Sequence, residues 1–134
     1  MKKMIKIGSD IENLRIVEKT IDEISTELGI REDCYGKIMV SAMEAVKNAI
    51  VHGNKSDINK IVEINIEDKL DELVITVIDE GNGFNPFNIP DPTKPENIEN
   101  LSGRGVFLMS RLADSIEFNK TGNMVTMFFK NIKN

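Results

Sequence analysis

The stretch Leu73-Val74-Ile75-Thr76-Val77-Ile78 is a nearly unbroken apolar and β-branched run, and it constrains the fold more than any other feature. It reads as a strand buried on both faces. Its neighbour precedes it: Ile61 to Ile66 sets Ile64 and Ile66 against Glu63 and Asn65, a strand with one wet face. The charged segment Glu67 to Glu72 reads as the turn between them, giving an antiparallel hairpin. A second hairpin lies near the end, where Ile116 to Phe118 and Met124 to Lys130 flank Lys120-Thr121-Gly122-Asn123. Ile5 and Ile7 alternate with Lys6 ahead of Gly8 and predict a short first strand. The Leu73 to Ile78 strand is therefore central.

Two helices fall between the first strand and the first hairpin. Ser9 with Glu12 makes a capping box, and Ile11, Leu14, Val17, Ile21, Ile24 and Leu28 follow at spacings of three and four until Gly29. The opposite face, with Glu18, Lys19, Asp22 and Glu23, reads as solvated. A second helix is predicted from near Arg31 to His52, with Tyr35, Ile38, Met39, Ala42, Val46, Ala49 and Ile50 inward and Gly53-Asn54 as its stop. Gly36 weakens its first turns without ending it.

The chain has 134 residues, enough for one domain with a real core. Its net charge of -5 argues against direct binding to a nucleic acid backbone. The single cysteine, Cys34, can form neither an internal disulfide nor a cysteine cluster, and it reads as a small buried hydrophobe. No apolar run approaches the roughly 20 residues of a membrane span, and the N-terminus lacks a signal-peptide core. A cytoplasmic protein without a membrane partner is expected.

Three polar clusters carry chemistry. Glu44 and Asn48 stand four residues apart and project side by side from one helix face, so a carboxylate and an amide address one spot. Asp79 ends the central strand and is followed by Gly81 and Gly83, which let a ligand approach the backbone closely. Gly103-Arg104-Gly105 precedes a helical run from Val106 to Ala113, where free N–H groups favour an anion. Between the last two clusters lies a long stretch without periodicity that holds all four prolines, the pattern of a lid or a disordered segment. Taken singly, each cluster has an ordinary reading as helix surface, turn or loop. Neither the nucleotide P-loop nor the dinucleotide fingerprint is present.

In this order and combination, Glu44-x-x-x-Asn48, Asp79-x-Gly81-x-Gly83, a lid and Gly103-x-Gly105 resemble the N box and glycine boxes of the ATPase/kinase superfamily shared by gyrase, the ninety-kilodalton heat-shock chaperones and histidine kinases. The wording Glu-Ala-x-x-Asn-Ala-x-x-His-Gly-Asn looks closer still to the bacterial anti-sigma-factor serine/threonine kinases. The resemblance covers nearly the whole chain. It implies an α/β, or α+β two-layer, sandwich in which helices cover one face of a mixed, mostly antiparallel sheet, with ATP between the helices and the lid. By the same resemblance Asn48 coordinates Mg²⁺ on the phosphates, Asp79 accepts a hydrogen bond from the adenine amino group, and Gly81 and Gly83 admit base and sugar. Gly103 and Gly105 hold phosphates, and Glu44 is the general base.

The chain departs from the family pattern at two places. Gly122 is followed by Asn123 where a threonine is usual, with Thr121 and Thr126 out of step. Arg104 stands at an often apolar position and either reaches a phosphate oxygen or points to solvent. His52, the single histidine, matches the box and reads as a helix-end or pocket residue ahead of a catalytic one. The implied function is partner switching: a homodimer that binds a sigma factor and phosphorylates an anti-anti-sigma protein with Mg-ATP. The competing readings are a binding module gated by nucleotide with negligible turnover, and a detached histidine-phosphorylating domain.

Overall fold

A computed structural model describes residues 1–81 and 108–133 of the chain. The elements run β1 (Lys2–Gly8), α1 (Leu14–Leu28), α2 (Glu32–Asn48), β2 (Ile61–Lys69), β3 (Glu72–Ile78), β4 (Ser115–Phe118) and β5 (Met124–Lys130). Residues 108–112 are helical as well. The strands form one sheet in the order β1-β2-β3-β5-β4, and each described pairing is antiparallel. β3 is its middle strand, as expected. The parallel component of the expected mixed sheet does not occur among the described strands.

The hydrophobic pattern determines which face the helices cover. Val62, Ile64 and Ile66 of β2, Leu73, Ile75 and Val77 of β3 and Val125, Met127 and Phe129 of β5 are buried together with Val17, Ile21 and Ile24 of α1 and Ile38, Ala42, Ala45 and Val46 of α2. Burying a side chain of this size contributes about 1.5–3 kcal/mol, so this interface supplies most of the driving force for folding. Met109 and Ala113 add to the same core. Cys34 is buried as expected.

The other face of β3 is not fully buried. Val74, Thr76 and Ile78 are half-exposed while their alternates are buried, so the strand buried on both faces is corrected to one with a single core face. The opposite face carries no described helix, and cross-strand neighbours such as Thr126 and Phe128 give only partial cover. The first hairpin also differs in its turn. Its strands extend through Lys69 and resume at Glu72, leaving Leu70 and Asp71 as the loop, because Glu67 and Asp68 pair with Val74 and Leu73.

Gly29 ends α1 in the left-handed conformation at φ 66°, and Ile30 N–H reaches back to Ser25 O, as the stop signal predicts. The start of α1 differs from the predicted capping box. Asp10 caps a 3-10 turn, Ile11–Asn13, by accepting from Glu12 N–H, and α1 follows it. Ser9 is instead fully buried and bonded elsewhere. Tyr35 stays half-exposed because its hydroxyl donates to the Asp22 side chain across the two helices.

Candidate functional site

α2 keeps α-helical hydrogen bonding through Asn48 and then widens into a π turn, Ala49–Gly53. Asn54 N–H bonds to Ala49 O at 2.8 Å and Ser56 N–H to Ile50 O at 2.8 Å, which seals the wide turn. Lys55 and Ser56 then adopt positive φ and turn the chain away toward β2. Wide turns of this kind recur at functional sites because they re-aim a helix end. Here the end is aimed at the C-terminus of β3.

The two meet at Gly53 and Asp79. A Cβ built on Gly53 would stand 2.4 Å from Asp79 Cγ, and one built on Gly81 would stand 2.0 Å from Gly53 O. Only glycine fits at either position. Asp79 N–H donates to Asn123 O at 2.9 Å, and Asp79 Oδ1 accepts from Gly81 N–H at 2.8 Å. Burial pushes the Asp79 carboxyl above the ordinary carboxylate range, with the Gly81 N–H and the Lys60 charge opposing it. The helix carrying Glu44 and Asn48 is thus joined through its own end to the turn carrying Asp79 and Gly81.

Glu44 is half-buried and makes no hydrogen bond or ion pair among the described residues. The Asn48 amide nitrogen is buried without a partner. A buried polar atom left unpaired costs about 1–3 kcal/mol, and such a group marks a place where a ligand completes the bonding. His52 is exposed on the π turn. Gly83, Gly103, Arg104 and Gly105 lie outside the described residues, as does the segment read as the lid.

The last hairpin contributes through its backbone. Asn123 supplies the carbonyl that receives Asp79 N–H, while its side-chain Oδ1 accepts from Asn119 Nδ2 and from Thr121 Oγ1 at 2.7 Å. Thr126 faces Thr76 on the side of the sheet that carries no described helix, 3.3 Å between hydroxyls. Gly122 has φ 77°, which the tight turn requires.

Sequence reasoning took Gly53 and Asn54 as a helix stop and as the end of the family wording, and Ser9 as a cap. The sequence signal was the Gly-Asn pair directly after the helix; its contact with Asp79 depends on tertiary structure.

Residues 7–129 match the family described as the histidine kinase-like ATPase domain. The chain belongs to that family. Members use ATP, and the described residues fit it: the buried Asn48 amide nitrogen is without a partner one helical turn from Glu44, and the close packing of Gly53 and Gly81 holds the Asp79 carboxylate at the end of that helix. The chain is 28% identical over 130 residues to serine-protein kinase RsbW of Bacillus subtilis, covering 92% of this chain and 81% of that protein. It is 26% identical over 136 residues to serine-protein kinase RsbW of Staphylococcus aureus, covering 96% and 86%.

Two solved structures share the family fold. A crystal structure of the RsbU and RsbW domains of Rv1364c from Mycobacterium tuberculosis superposes with a TM-score of 0.68 at 16% identity, over 97% of this chain and 32% of that one. The catalytic domain of the histidine kinase ThkA superposes with a TM-score of 0.52 at 15% identity, over 98% and 99%. No helix among the described residues is long and apolar enough to cross a membrane.

Proposed function

We propose that the chain is a serine/threonine protein kinase acting as an anti-sigma factor: it holds a sigma factor and phosphorylates an anti-anti-sigma protein, in the cytoplasm. The observation that carries the reading is the pairing, one helical turn apart, of a Glu44 carboxylate that has no hydrogen-bond or ion-pair partner among the described residues with an Asn48 amide whose nitrogen is buried and unpaired. The likeness to two serine-protein kinases over most of their length supports the substrate class.

In this reading Asp79 accepts from the adenine amino group, and Gly81 and Gly83 leave room for base and sugar. Asn48 would hold Mg²⁺ through its amide oxygen, a hard neutral donor suited to that ion. Mg²⁺, when bound, neutralises charge on the transferring phosphoryl group. Gly103, Gly105 and Arg104 would hold the phosphates. Glu44 takes the hydroxyl proton of a serine or threonine as its oxygen bonds to the γ-phosphorus and the bond to the β,γ-bridging oxygen breaks, releasing ADP. The protein is read as a homodimer, supported by Val74, Ile78, Met124 and Phe128, which are half-exposed on the sheet face that no described helix covers.

The test is the intact mass of candidate antagonist proteins from the same genome after incubation with the chain and Mg-ATP. An acid-stable gain of one phosphoryl group, absent with Glu44→Ala, is expected. No gain on any candidate with ATP binding intact would replace the kinase with a nucleotide-gated binding module.

A further inference from the structure

Asn54 is fully buried and saturated on both ends of its amide. Its Nδ2 donates to Ser9 Oγ at 2.8 Å and to Ile61 O at 3.1 Å, and its Oδ1 accepts Glu80 N–H at 2.7 Å. Ser9 is fully buried too, and its hydroxyl proton goes to Lys60 O at 2.7 Å, so its oxygen can only accept from Asn54. One amide therefore joins the end of β1, the close of the π turn, the start of β2 and the backbone between Asp79 and Gly81.

The chemistry selects asparagine. The position needs two donors toward Ser9 and Ile61 and one acceptor toward Glu80, each within reach of a short side chain. Aspartate offers acceptors alone and would bury a charge; leucine, of similar shape, leaves a backbone N–H and a backbone carbonyl unpaired.

We propose that Asn54 is a positioning residue for base selection: by holding Glu80 N–H it fixes the turn that orients the Asp79 carboxylate, and it ties that turn to the helix bearing Glu44 and Asn48. This rests on the reading that Asp79 receives the adenine amino group. Guanine presents a carbonyl oxygen there, which a fixed carboxylate repels, so a loosened turn loses discrimination between the bases. A residue that merely stabilised the fold would leave the ratio of ATP to GTP affinity unchanged.

The experiment measures affinities for ATP and GTP by calorimetry on the full chain, well below its melting temperature, with Asn54→Ala, Asn54→Ser, Ser9→Ala and Asp79→Asn. Asn54→Ala and Asn54→Ser are expected to weaken ATP binding about tenfold and to shrink the ATP:GTP ratio by a similar factor, the loss of one buried hydrogen bond to the turn. Ser9→Ala lies in the same network without touching the turn; it lowers stability and keeps the ratio. An unchanged ratio in both Asn54 variants, with Asp79→Asn reducing it, overturns the inference alone. An unchanged ratio in Asp79→Asn overturns the underlying reading of the base site.

Amide exchange on the wild-type chain without nucleotide supplies a measurement independent of whether the variants fold. Glu80 N–H is expected to be protected although its residue is exposed; exchange at the rate of a free turn would also overturn the inference.

Discussion

Gly53 lies against the Asp79 carboxylate with no room between them: a Cβ on Gly53 would sit 2.4 Å from both Asp79 Cγ and Oδ2. Space, not backbone conformation, demands glycine here, since Gly53 has no positive φ. Gly53→Ala must displace Asp79 or bend the π turn. We expect ATP affinity to fall by more than about tenfold and stability by about 1–3 kcal/mol, read by calorimetry and thermal unfolding; unaltered affinity would show that the contact does not shape the site.

Gly36 provides the contrast. It lies inside α2 with nothing within 4 Å of a built Cβ and no positive φ. Gly36→Ala is expected to raise unfolding stability by about 0.5–1 kcal/mol by removing backbone freedom from the unfolded chain, with ATP affinity unchanged. Denaturant titration settles the sign.

Asp79 carries a pH prediction. Its carboxyl is raised by burial, so the folded state binds the proton more tightly than the unfolded chain does. The associated stability is fully present below the unfolded carboxyl pKa and is lost as pH rises through the higher folded value. Near neutral pH the charge therefore costs stability in the nucleotide-free protein. Asp79→Asn should melt no lower than wild type there while binding ATP more weakly. In wild type, ATP affinity should decline on acidification at a pH above the ordinary aspartate range, a limb absent from Asp79→Asn.

Glu44→Ala is expected to lower phosphoryl transfer by about a hundredfold or more, the scale of a lost general base, with ATP affinity within about threefold of wild type. Glu44→Gln, which keeps the shape, should do the same. Transfer at the wild-type rate in either variant would remove Glu44 from the chemistry.

Much of the architecture was legible from local pattern. The five strands, both long helices, the Gly29 stop and the Gly122 turn follow from periodicity and from residues that tolerate positive φ. The placement of Glu44 and Asn48 one turn apart on α2, and of Asp79 just after β3, was legible from spacing alone. Where local reading failed, a distant partner had intervened. Ser9 looked like a cap, yet Lys60 and Asn54 claim its hydroxyl, and Asp10 caps in its place. Leu73 to Ile78 looked buried on both sides because β-branched residues suit any pleated surface, and composition does not say whether a layer covers the second face.

Local pattern was enough to specify the elements and the central place of β3, because these depend on interactions within a few positions of the chain. The tertiary structure decided what holds the site in shape. The π turn at Ala49–Gly53, the fit of Gly53 on Asp79 and the saturation of Asn54 by Ser9, Ile61 and Glu80 join segments up to 45 positions apart. Hydrogen bonds and excluded volume act over ångströms in space, so a chain distance of that length leaves no local signature of the contact.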